Sequence, residues 1–143
     1  MTQPIRARLS LVTLGVADVA RATEFYRALG WEPSSASVPG EVTFFGLQGA
    51  ILGLWRRENL AAEANVDAGR PGAMSSAINL ETRAAVDAAF ERVREAGGRV
   101  TTRPQATDWG GYSGYFVDLD GHAWEIAHNP FWPIGADGRP ELP

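Results

Sequence analysis

Apolar residues along this chain follow two rhythms, and the order of rhythms occurs twice. Leu9 to Val16 is a short apolar run with β-branched residues, followed by Asp18, a residue type that caps helix N-termini. A strand and then a helix are predicted. From Val19, the apolar positions Ala22, Phe25, Tyr26 and Leu29 recur at helical spacing until Gly30, whose freedom at positive φ suits a helix stop. After Pro33 and a loop of small residues, Glu41 to Leu47 and Ala50 to Trp55 read as two strands joined by a turn at Gln48-Gly49.

The second half repeats this order. Ser75 to Leu80 is a strand candidate and Thr82 a cap, and Val86, Ala89, Phe90 and Val93 keep helical spacing before Gly97-Gly98. Val100 to Thr102 reads as extended, Tyr112 to Val117 as a strand, Asp120-Gly121 as a hairpin turn and Ala123 to Ala127 as the closing strand. The polar intervening stretch, with Pro71-Gly72, reads as a linker holding a short helix around Leu60 to Ala64. The predicted organisation is one domain over 1–143: a first module at about 5–57, a linker at about 58–73, a second module at about 74–129 and a tail at 130–143.

Each βαβββ module can cover only one face of its small sheet. The expected fold is therefore α+β, with two βαβββ modules forming a curved mixed sheet around a concave cleft and helices on the outer face. Such a cleft is where side chains from both halves meet.

Composition narrows the function. The chain has 143 residues, of which 45% are hydrophobic, enough apolar mass for a core. Its net charge of −4 argues against nucleic acid and membrane surfaces as partners. With no cysteine, thiolate metal sites, iron–sulfur clusters and cysteine nucleophiles drop out. Without a run suited to a signal peptide or a membrane span near the N-terminus, a cytoplasmic location is expected.

Two stretches carry a resemblance. Val16 to Trp31 and Phe116 to Ile126 resemble the vicinal oxygen chelate superfamily, which includes glyoxalase I, bleomycin-resistance proteins and extradiol dioxygenases. In the second stretch, Phe116-Val117-Asp118-Leu119-Asp120-Gly121 and the following Glu125 match a family signature, with Leu119 in place of its usual proline. The resemblance covers nearly the whole chain and implies a homodimer. It also implies four metal-ligand positions on the concave face, which fall at Leu11, Gly53, Ser75 and Glu125. Only Glu125 has a competent donor, so no metal and no other cofactor are expected; the alternative is a divalent metal held at an atypical site. His122 reads as a surface histidine in the Asp-Gly turn, and His128 lies on the strand face opposite Glu125.

Counting outward from those four positions in steps of two gives the cleft wall. Thr13, Ile51, Trp55, Asn79 and Glu125 fall on it, along with Gly15, Ala77, Ala123 and Ala127, while Leu52, Leu54, Trp124 and Ile126 fall in the core. Trp109 to Gly114 reads either as an aromatic, glycine-rich loop over the cleft, offering Trp109 and Tyr112 for stacking, or as a plain turn. In the tail, Phe131 and Trp132 either clasp an open end of the sheet or close the cleft. Glu125 is a catalytic base if the protein is an enzyme; otherwise it anchors a ligand or pairs with an arginine or water. No lysine is present to stabilise an enolate in place of a metal, which favours binding over catalysis. The leading expectation is a metal-free cleft that sequesters a hydrophobic or aromatic small molecule, as drug-binding resistance proteins do. The alternative is a glyoxalase- or dioxygenase-like lyase, isomerase or oxygenase.

Overall fold

A computed structural model describes residues 4–143. The first half contains β1 (Leu11–Val16), α1 (Val19–Ala28), β2 (Val42–Gly46), β3 (Ile51–Arg56) and α2 (Arg57–Ala64). The second contains β4 (Ser75–Asn79), α3 (Arg83–Glu95), β5 (Arg99–Ala106), β6 (Tyr112–Val117) and β7 (Ala123–His128). Both predicted caps act as such: Asp18 Oδ1 accepts from the backbone N–H of Arg21 at 2.9 Å, and Thr82 Oγ1 from that of Ala85 at 3.0 Å. The linker helix α2 begins directly after β3, three residues ahead of the expected start.

The strands form two mixed sheets, ordered β1-β3-β2 and β4-β7-β6-β5. In each, the first strand pairs in parallel with the last, the arrangement that a helical crossover permits. The counterpart of β5 in the first half is reduced to a bridge between Pro33 and Phe45, where proline has no N–H to extend a ladder. In the second half, β5 runs well beyond the short segment expected. Its Pro104 is tolerated because β5 is an edge strand, and its pairing with β6 shifts register on both sides of Thr102. Gly114 makes this possible: a Cβ there would stand 2.7 Å from the Thr102 carbonyl oxygen and 2.8 Å from Pro104 N.

One core serves both halves. Leu14, Val16, Phe45, Leu52 and Leu54 of the first sheet join Phe116, Trp124 and Ile126 of the second, with α1 and α3 contributing Phe25, Tyr26, Val86, Phe90 and Val93. Trp31 stacks on Tyr26 and meets Trp124 edge-on at 5.7 Å. Polar ties cross the same boundary. Tyr26 Oη donates to Asp118 Oδ2 at 2.6 Å and accepts from Trp124 Nε1 at 3.2 Å, and Asp120 Oδ1 accepts from the Ala17 N–H at 2.8 Å. The tail returns towards the first half, folding on an Ile134–Pro140 bridge that sets Gly138 against Gln48 and Arg139 against Gly49. It works as a clasp, although Phe131 stays 64% exposed, with its ring against Gly110.

Candidate functional site

The face of each sheet turned away from the core holds most of the chemistry. In the first sheet, Leu11 pairs with Ile51, Thr13 with Gly53 and Gly15 with Trp55. Leu11 and Ile51 are 43% and 44% exposed, so this apolar face is open. Strand alternation thus brings Thr13, Ile51 and Trp55 together. Gly53 adds no side chain: a Cβ there would meet Thr13 Oγ1 at 3.1 Å and the Phe44 ring at 3.5 Å.

In the second sheet, Glu125 stands between Ala77 on β4 and Tyr115 on β6. Burial pushes the Tyr115 phenol pKa up, and the neighbouring Glu125 carboxylate adds to the shift. Tyr115 belongs to the site although strand counting from the signature positions did not reach it. The signal was there: the turn at Asp120-Gly121 sets the β6–β7 register, and counting outward from it pairs Tyr115 with Glu125. Asn79, paired with Ala127, lines a cavity of about 590 Å³ between the halves, walled by Trp31 and Trp124.

The two loop aromatics stand apart from Glu125. Trp109 sits in the turn between β5 and β6, closed by the Thr107 N–H to the Gly111 carbonyl, and its half-exposed indole folds over Gly111. Tyr112 faces the other way from the expected cleft. Its hydroxyl donates to Asp87 Oδ1 on α3 at 2.6 Å, and the Arg83 guanidinium lies 5.3 Å from its ring centre. The reason is alternation: Tyr112 pairs with His128, which shares the helix-facing side with Trp124 and Ile126. Among the described residues, none of the four main cavities is lined by Glu125, Thr13, Ile51 or Trp55.

Comparison with known proteins agrees with this architecture. A model of the Glyoxalase/Bleomycin resistance protein/Dioxygenase superfamily matches residues 8–126. The chain belongs to this superfamily. A glyoxalase-related enzyme from Fulvimarina pelagi is 37% identical, covering 96% of this chain and 99% of its own, with a TM-score of 0.88. A glyoxalase/bleomycin resistance protein/dioxygenase from Nocardioides is 26% identical over 94% of this chain and 89% of its own, with a TM-score of 0.73. A lactoylglutathione lyase from Agrobacterium tumefaciens shares the fold at 23% identity and a TM-score of 0.70, covering 89% of this chain and 97% of its own. No curated protein matches the sequence.

The residues at the four positions that the resemblance assigns to metal ligands do not fit a divalent ion. Leu11 and Gly53 have no donor, Ser75 has only a hydroxyl, and the space a side chain at Gly53 would use is taken by Thr13 and Phe44. Among the described residues no three histidine, aspartate or glutamate side chains form a group able to hold a metal. Both histidines are engaged elsewhere. His122 Nε2 lies 2.8 Å from the Gly15 carbonyl oxygen, which can only accept, so that nitrogen carries the proton. The expected surface histidine is instead a partly buried tie between the halves. His128 Nδ1 makes the corresponding contact with the Leu80 carbonyl at 3.1 Å.

Proposed function

We propose that this superfamily member captures a small apolar or aromatic molecule on the open sheet faces, with Glu125 as the polar anchor. The observation that carries the reading is the makeup of the four inherited positions: one carboxylate, with no second strong donor to share an ion. Trp55, Ile51 and Thr13 supply contact surface, and Tyr115 stands beside the carboxylate on the neighbouring strand. A planar ligand gains most from such a wall because its faces stack while one donor reaches the carboxylate. Capture rather than turnover follows from the missing electrophile: no lysine and no fitting metal set stand ready to stabilise an enolate. Drug sequestration in the cytoplasm by a homodimer completes the proposal, with Asn79 as a further ligand contact. Among the described residues no helix is long and apolar enough to cross a membrane.

A second reading has its own support. The relative from Fulvimarina pelagi is described as an enzyme, and the Tyr115–Glu125 pair gives a carboxylate base with a phenol beside it. Here Glu125 would take a proton from a carbon acid, and Glu125→Gln would abolish turnover of any substrate found. Titrating the intrinsic fluorescence with a broad panel of planar aromatic compounds tests the first reading. Saturable quenching, diminished in Trp55→Phe, is expected; a flat response across the panel overturns it.

A further inference from the structure

The segment joining the halves closes over a cavity of about 220 Å³ that includes Arg57, Arg70 and His122 in its lining, with Asp67 as the single carboxylate. Two arginines against one carboxylate give the lining a net positive charge, which an anion would balance. The ion pairs of the described residues join Arg27 to Glu24, Arg56 to Glu58, Arg94 to Glu91 and Arg139 to Asp137, so neither Arg57 nor Arg70 is neutralised in this way. The contrast between neighbours is informative: Arg56 spends its charge on Glu58 in solvent, whereas Arg57 is partly buried against the hollow.

The remaining walls define the ligand. Leu60 and Val66 add apolar surface, and a second cavity of about 160 Å³ shares Arg70 and His122 on the other side. His122 Nε2 is committed to the Gly15 carbonyl, so the donors for an anion in this hollow come from the two arginines. We infer that this hollow is an oxyanion site, in which Arg57 and Arg70 hold the carboxylate or phosphate end of a small molecule whose apolar stem rests on Leu60 and Val66. The planar fork of a guanidinium matches either group in bidentate fashion. The site is separate from Glu125 and does not depend on the reading given to that residue.

Calorimetric titration with inorganic phosphate and with benzoate at low ionic strength tests it, using the native protein and the variants Arg57→Gln, Arg70→Gln and Arg103→Gln. Arg103 is an exposed arginine on the edge strand β5, outside the cavity, and serves as the control for diffuse charge. Saturable binding of at least one anion is expected, weakened about tenfold or more by each cavity variant and unchanged by Arg103→Gln. Phosphate alone or benzoate alone identifies which oxyanion the hollow prefers. Arg70 lies in an exposed loop, so Arg70→Gln keeps the native melting temperature and its loss of binding is not a loss of fold. Absence of saturable binding of both anions up to about 20 mM, or equal weakening by Arg103→Gln, overturns the inference.

Discussion

Asp118 is 5% exposed, yet its carboxylate is fully used: Oδ2 accepts from Tyr26 Oη, and Oδ1 from the backbone N–H groups of Asp120 and His122. The signature stretch that looks like a catalytic motif is, at this residue, a structural joint between the halves. Asp118→Ala would strand several buried donors and is expected to cost about 3 kcal/mol or more, against about 1–2 kcal/mol for Tyr26→Phe, both read from denaturant melts. The same joint sets a pH dependence. Burial first, then the Asp118 charge, raises the pKa of the Tyr26 phenol far above its usual value. A raised folded-state pKa means that the stabilisation is complete below the unfolded value of about 10 and is lost as pH climbs beyond it. Stability measured from pH 8 to 11 should therefore fall at the alkaline end, and Tyr26→Phe should flatten that fall. At the candidate site, Glu125→Gln should weaken a bound donor-bearing aromatic about tenfold, with Tyr115→Phe producing a smaller loss, as seen in equilibrium titration.

Both main helices were legible because their caps and stops are local. Asp18 and Thr82 bond to the first turn, and Gly30 and Gly97 take φ of 103° and 92°. Of the edge strand β5 only Val100 to Thr102 was legible, for its side chains are mostly exposed and Pro104 breaks the usual strand signal; pairing with β6 extends the strand to Ala106, and no local pattern encodes that. Gly114 is the residue on which that pairing turns. Gly114→Ala would drive a methyl into the Thr102 carbonyl, where backbone has little room to give, and into the Phe90 ring. A loss of about 1–3 kcal/mol is expected, with amide exchange accelerated along residues 99–106 before the rest of the sheet. Tyr112 shows the complementary failure of local reading: as the first residue of β6 it follows strand parity, whereas a loop reading left its direction open.

In the whole molecule, the faces of Thr13, Ile51, Trp55 and Glu125 were readable from strand alternation, since these four stand opposite the core, whereas that of Tyr112 was not. How the two faces relate was not, because that depends on packing of Trp31, Tyr26 and Trp124 across the halves and on the ties at His122 and Asp120. The resemblance to the superfamily implies four metal-ligand positions, and the central claim here is that ligand capture proceeds without a metal. The most direct measurement is the fluorescence titration with planar aromatic compounds, run in parallel with excess chelator and with added divalent manganese, nickel or zinc. The account predicts saturable binding of the same strength in all arms, weakened in Glu125→Gln. Binding that vanishes with chelator and returns with a metal ion would contradict it.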